Sequence, residues 1–412
     1  MGISSCLIAR SRGRVSCTRI FRAKSKRGSG KERKVFMASE QKAPAVRPVT
    51  VVKFAGAVIA TLIGSGFASG QEAMQFFAAY GTNGIIGCVI AILLFAGMSG
   101  VLLGYGFKHK GASDFSAFRY FCGKYLGTFL EWFTILFCFL VGIIMVSGAG
   151  ATLNQYFGVP QIVGSGLMAA IVLLSALFGL KRIVDILGSI GPVTIAFLII
   201  LAVYTLVVHG GGLADSNAAV EAAGDSVVYG VGSGSAWFAL GAFMYVAYNI
   251  LAGVPFMSEM GTGARSRKEA VLGGALGGAA LGVCALLLNL ALLSVFGEAV
   301  QYEVPVLFLA QQISPVVGLL FAVILLAEIY NPVGPMVWTV ANQVVDEKQD
   351  KRKYQFLIAL LCAVIFMGGQ LPFGMLVNLI YPFVGYFGAL FIVVVIVQMI
   401  RWRIDRARGI TR

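Results

Sequence analysis

Ten apolar runs recur between Val51 and Ile400, roughly 51–79, 84–107, 125–152, 161–180, 183–209, 235–260, 269–297, 315–344, 354–370 and 372–400. Most reach the roughly 20 residues a helix needs to cross a bilayer. In hydrocarbon every backbone N–H and C=O must be satisfied within the protein, which leaves helices or closed barrels. Barrel strands alternate apolar and polar residues, and these runs do not. Charged residues make up 12% of the chain, against about 25% in a soluble domain, too few to clothe a soluble surface. The expected class is an all-α integral membrane protein with ten transmembrane helices.

The connections test that count. Lys108, Lys110, Arg119, Lys124, Lys181, Arg182, Arg265, Arg267, Lys268, Lys348, Lys351, Arg352 and Lys353 fall in alternate connections. Lys42, Arg47 and Lys53 at the start of span 1, and the basic tail 401–412, fall on the same side. The other connections, near 80–84, 153–160, 210–234, 298–314 and 371, hold no Lys or Arg but carry Asp215, Glu221, Asp225, Glu298 and Glu303. Basic residues resist translocation. The pattern predicts an even number of spans with both termini cytoplasmic.

The net charge of +14 is mostly a tail property, since residues 1–36 hold eleven Lys/Arg against Glu32 alone. This places 1–50 as a basic, disordered tail and argues against a nucleic-acid partner. The tail has three readings: a lipid-contacting segment, a targeting segment, or residues upstream of a true start at Met37. The seven cysteines form no CxxC pair, and His109 and His209 stand far apart, so no transition-metal cofactor is expected.

Span 1 carries Gly64, Ser65, Gly66, Ser69 and Gly70 near its middle, and span 6 carries Asn249, Gly253 and Pro255. Small residues pack helices closely, or they make unwinding easy. Interrupted helices at matching positions of two halves point to a transporter site. Spans 1 and 6 each open a set of five, and an odd number of spans makes the halves inverted repeats, about 51–209 and 235–400. Both helices are therefore expected to break at the midplane. Tyr245 and Tyr248, just before the second break, can wall a pocket. Glu328 is the strongest intramembrane carboxylate, with Asn331 one turn away. Glu72 either complements the dipole of the outer half-helix or faces a vestibule as a gating residue. Segment 303–314 reads as an interfacial helix or a lid.

With ten spans and these interruptions, the chain resembles the LeuT-type fold of the amino acid–polyamine–organocation superfamily. The string GSGFASGQE, followed by QFF, is similar to the YkvI-like family of bacterial membrane proteins. The resemblance implies that Gly64, Ser65, Gly66 and Phe67 face the substrate, with Ser65 and Gly66 N–H groups at an anionic group. By the same resemblance, Ala60 and Ile63 carbonyls join Glu328 and Asn331 at a coupling site for Na+ or H+. Phe67 stands where a second sodium site draws an amide, which implies that this second site is missing.

The expected function is cation-coupled secondary transport of a small amine-bearing or amino-acid-like solute by alternating access. Spans 1, 3, 6 and 8 would bind the solute, with Tyr245, Tyr248 and Asn249 contributed by span 6. No GxxxxGK[ST] loop is present for direct ATP drive. A channel or receptor on the same fold is the first alternative. An intramembrane enzyme is the second, disfavoured because no nucleophile–base or metal constellation is apparent.

Overall fold

Each apolar window folds as helix over the residues described by the computed structural model, namely 46–111, 115–178, 190–345 and 350–408. The residues 1–45, Lys181, Arg182, Lys348 and the last four of the basic tail, 409–412, lie outside the described residues. Span 1 comprises α1 (Pro48–Leu62), α2 (Ser65–Ser69) and α3 (Gln71–Phe76). There follow α4 (Asn83–Lys108), α5 (Ala117–Phe157), α6 (Gln161–Phe178), α7 (Ile190–His209) and the short α8 (Ser216–Ala223). The second half holds α9 (Phe238–Thr262), α10 (Arg267–Ser294), α11 (Phe296–Ala299), α12 (Pro305–Ile313), α13 (Pro315–Val344), α14 (Lys351–Gly368) and α15 (Phe373–Ala407). No strand occurs among the described residues. Seven helices are long and apolar enough to cross a membrane, and Pro48–Leu62 and Gln161–Leu177 are shorter apolar helices. The helix α14, whose first turn is Lys351, Arg352 and Lys353, is not among the seven.

Local sequence explains where the helices start. Ser116, Ser266 and Ser314 each accept the backbone N–H three residues on, at 3.2 Å, as N-caps do. Asp350 caps α14 in the same way at 3.1 Å. The Lys353 amide, with its ammonium 3.0 Å from the carboxylate, holds Asp350 below the usual carboxylate range. That cap therefore loosens as pH falls through the lowered value.

The basic and the acid-bearing connections gather at opposite ends of the bundle. At one end Arg47 N donates to Glu269 Oε1 at 3.0 Å, and Lys110 Nζ donates to Ala264 O at 3.5 Å. At the other, Thr82 N donates to Asn217 Oδ1 at 2.9 Å and Tyr156 Oη to Pro315 O at 2.7 Å. Gln161 Nε2 also donates to Leu371 O there, at 3.1 Å.

The helix α10 is held between α1 and α4 by small residues. A Cβ on Gly274 would stand 2.5 Å from Ser99 O, and one on Gly277 would stand 2.7 Å from Ala55 O. Backbone thus meets backbone on two faces of α10, the usual role of small residues between membrane helices.

Span 1 is interrupted twice. Ile63 and Gly64 are extended (ψ 123 and 178), and Gly70 is left-handed (φ 88). The expected break in span 6 is not present: α9 runs without interruption from Phe238 to Thr262, with Pro255 inside it. Proline removes one donor from a helix, and the surrounding packing accommodates that loss. A Cβ on Gly253 would stand 2.9 Å from Leu62 Cδ2 and 2.7 Å from Met257 Cε, so this glycine serves close packing of α1 rather than unwinding.

Segment 303–314 contains the buried helix α12, whose Val306 lies against Gly70. A side chain at Gly70 meets both a left-handed backbone and Val306 Cγ2, 2.7 Å from the Cβ position. We expect Gly70→Val to lower thermal stability by about 2 kcal/mol or more, read as a fall in the unfolding midpoint in detergent. An unchanged midpoint would contradict the packing of α12 on the break.

Candidate functional site

The first break exposes backbone at its two ends. The extended Ile63–Gly64 pair leaves the last carbonyls of α1, Ala60 among them, without intrahelical donors. The first amides of α2, those of Ser65, Gly66 and Phe67, have no side-chain cap. The Ser65 hydroxyl donates to Met145 Sδ on α5, which covers the break from one side. Phe67 is 1% exposed and belongs to the packed core.

Glu72 sits at the centre of this region. It is 3% exposed, so it is enclosed rather than standing in an open vestibule. Gly70, in its left-handed turn, reverses the chain enough for Glu72 to fold back over α2. A Cβ on Gly66 would collide with Glu72 Oε1 and stand 3.0 Å from Glu72 Cδ. The carboxylate thus fills the space beside the Gly66 backbone, where the family resemblance places an anionic group of the solute. The hydroxyls of Tyr245 and Tyr248 lie beside it. Glu72 and Tyr248 are both buried, and the tyrosine hydroxyls are within reach of the carboxylate as hydrogen-bond donors.

Aromatic rings enclose the carboxylate. Tyr245 packs against Phe76, Phe77 and Phe95 with centroids 5.9, 4.9 and 5.7 Å away. Tyr248 packs on Phe76 at 5.7 Å and stacks on Tyr381 of α15 at 4.4 Å. Such faces attract cations. Asn249 is buried, but its amide donates to Tyr245 O one turn back at 3.0 Å and stays within its own helix.

The acid-bearing end above Glu72 is closed by hydrogen bonds. Gln71 Nε2 donates to Tyr302 O at 3.2 Å, and Gln75 Nε2 to Gly374 O at 2.8 Å. Asn378 Nδ2 donates to Tyr229 O at 2.6 Å. Glu303 accepts from Gly374 N at 2.9 Å. The helix α12 and these contacts seal α3 against α15.

Glu328 lies elsewhere, 6% exposed on α13. Thr194 of α7 donates to its Oε2 at 3.3 Å. One turn earlier on α7, the Cβ position of Gly191 is 3.9 Å from Ala60 Cβ. Glu328 of α13 and Ala60 of α1 thus each meet α7, one turn apart along it. Asn331, one turn on, is half-buried.

Sequence reasoning missed Thr194, Tyr381 and the rings of Phe76, Phe77 and Phe95. A usable signal existed for Tyr381, since it lies three residues after Asn378 and on the same helical face. The others are ordinary core residues by sequence. Asn289 of α10 is fully buried beside the Cys88 thiol of α4.

The architecture resembles the LeuT-type fold. MhsT, solved in complex with L-phenylalanine, superposes with a TM-score of 0.53 at 14% identity, over 84% of this chain and 88% of that one. In sequence the chain is similar to the uncharacterized membrane protein YkvI of Bacillus subtilis (strain 168), 24% identical over 348 residues, 81% of this chain and 92% of YkvI. It is also similar to the uncharacterized protein YyaD of the same organism, 24% identical over 249 residues, 60% of this chain and 68% of YyaD. No family model matches the chain. The YkvI resemblance, carried in the sequence by a short string in span 1, extends over most of the membrane region.

Proposed function

We propose that the chain is a cation-coupled secondary transporter that carries a small amine-bearing solute by alternating access. The observation that carries this reading is Glu72: an enclosed carboxylate at the break in span 1, walled by Tyr245 and Tyr248. Burying a carboxylate is costly, and a bound ammonium group or a proton relieves that cost. The carboxylate against Gly66 supports an amine over a carboxylate as the recognised group, since two anions at one site repel. MhsT holds L-phenylalanine on the same fold, which supports a solute of amino-acid size. The sealed acid-bearing end supports a carrier over a continuously open pore.

In this reading the ten helical windows all span, in two inverted sets of five, with both termini cytoplasmic in the plasma membrane. The basic connections at one end of the bundle support that orientation. Glu328, with Thr194 and the open carbonyls that end α1, takes the coupling cation, Na+ or H+; oxygen ligands suit a hard cation.

The test is uptake into proteoliposomes of purified protein, across a panel of amines and amino acids, under imposed sodium or proton gradients. Exchange of labelled solute against unlabelled solute separates a carrier from a pore. No uptake under any gradient would refute the proposal. For the coupling role, Glu328→Gln is expected to abolish gradient-driven accumulation while solute exchange at equal concentrations persists. Accumulation that remained gradient-dependent in that variant would remove Glu328 from the coupling site.

A further inference from the structure

At the end of the bundle that carries the basic connections, α4, α5, α10 and α15 part around a cleft of about 900 Å³. It lies outside the Glu72 site, and the transport reading makes no use of it. Three kinds of residue build it, each at its own depth.

The floor is made of small residues on one face of α4. Gly97, Gly100 and Gly104 all line the cleft, over about 10 Å of helix rise. Cβ atoms on Gly100 and Gly104 would meet Val271 of α10, at 3.2 Å from its O and 2.9 Å from its Cγ2, whereas one on Gly97 would meet nothing within 4 Å, so the open stretch of the groove lies beside Gly97. Aromatic residues form the wall towards the helix ends: Trp402 packs on Tyr120 at 5.5 Å, and Tyr120 on Tyr105 at 4.8 Å. Rings of this kind favour the level of lipid headgroups.

Cations stand at the mouth. Lys108, Arg267 and Arg403 line it with His109, and Asp405 is the one carboxylate among the described lining residues. Lys108 Nζ donates to Tyr120 Oη at 3.2 Å, which fixes it over the aromatic wall. Its place in the last turn of α4 is ordinary for a cation. Arg267 is different. It is the first residue of α10, where the helix end is itself partly positive and disfavours a cation. Neighbouring Glu269 does not face it as a partner, because that carboxylate accepts from Arg47 N and Arg265 N. An anion in the mouth of the cleft would meet both Arg267 and the helix end.

We propose that this cleft binds one phospholipid with an anionic headgroup. The phosphate would lie among Lys108, Arg267 and Arg403, and an acyl chain would lie in the open groove beside Gly97. Charge selects the headgroup, as basic pockets between membrane helices do. The apolar groove behind it argues for a lipid over a free anion, which would leave the groove unfilled.

The test uses the full-length protein in a neutral detergent. Phosphatidylglycerol, phosphatidylcholine with the same acyl chains, and glycerol 3-phosphate are compared by thermal unfolding and by native mass spectrometry of retained adducts. Phosphatidylglycerol is expected to raise the unfolding midpoint by about 5 °C and to leave a one-lipid adduct, with the other two doing neither. Combined Arg267→Gln and Arg403→Gln should remove most of that shift while leaving the lipid-free midpoint in place. Gly97→Leu, which fills open space, should do the same without touching the charges. Equal shifts from both lipids would overturn the proposal, as would a matching shift from glycerol 3-phosphate, which would indicate a free-anion site. A full phosphatidylglycerol shift in both variants would overturn it as well.

Discussion

Glu72→Gln is expected to abolish amine uptake while leaving the protein folded and more heat-stable than the parent. Glutamine has the shape of glutamate, so its packing against Gly66, Tyr245 and Tyr248 is retained. What is lost is the charge. A charge-assisted hydrogen bond contributes about 1.5–3 kcal/mol, so solute affinity should fall by roughly 10- to 150-fold. Stability moves the other way, because an ionised carboxylate enclosed away from water is costly to the unliganded fold. The two readouts together are diagnostic. A structural carboxylate would lose stability along with activity, whereas a binding carboxylate loses activity alone. Uptake within threefold of the parent would remove Glu72 from the site, whatever happened to the midpoint.

Gly278→Leu is expected to yield no stable, monodisperse protein. Its Cβ would collide with the Phe95 carbonyl of α4, and one helical turn to either side Gly274 and Gly282 meet Ser99 O and Ile92 Cγ1 at 2.5 and 2.6 Å from their Cβ positions. The obstacle is mostly backbone, which cannot rotate aside as a side chain can. Prying α4 from α10 should cost about 3 kcal/mol or more. Size-exclusion chromatography and the unfolding midpoint check this, with Gly97→Leu on the open face of α4 as the tolerated counterpart. A monodisperse Gly278→Leu with the parent midpoint would show that the two helices do not approach as described.

The interruptions of spans 1 and 6 show how far the sequence could be read. In span 1 the cluster Gly64, Gly66 and Gly70 leaves the helix little to hold it, and the chain does break there. In span 6, Asn249, Gly253 and Pro255 look equally disruptive on paper, yet α9 is continuous. Glycine lowers the cost both of unwinding and of close approach, and composition cannot tell the two apart. At Gly253 the approach of Leu62 decides. Asn249 bonds to its own helix instead of to an opened backbone.

Carboxylates were harder to place. Glu328 stands out in the sequence because a charge deep in an apolar run is rare, but its partner Thr194 lies 134 residues away and looks ordinary. Glu72 follows a glycine-rich stretch, where a vestibule position and a dipole-stabilising position look alike. Only the left-handed turn at Gly70 folds it inward, over Gly66 and towards the tyrosines of α9.

The sequence by itself determined the membrane class, the helical windows and the sorting of charge between two ends, because each depends on local composition and on the solvent that a segment must meet. The tertiary structure alone decided which glycines unwind and which pack, and which carboxylate is enclosed. It also decided which basic residues share a cleft. Those outcomes depend on what a neighbouring helix presents at a few ångströms, and a linear pattern does not contain that information.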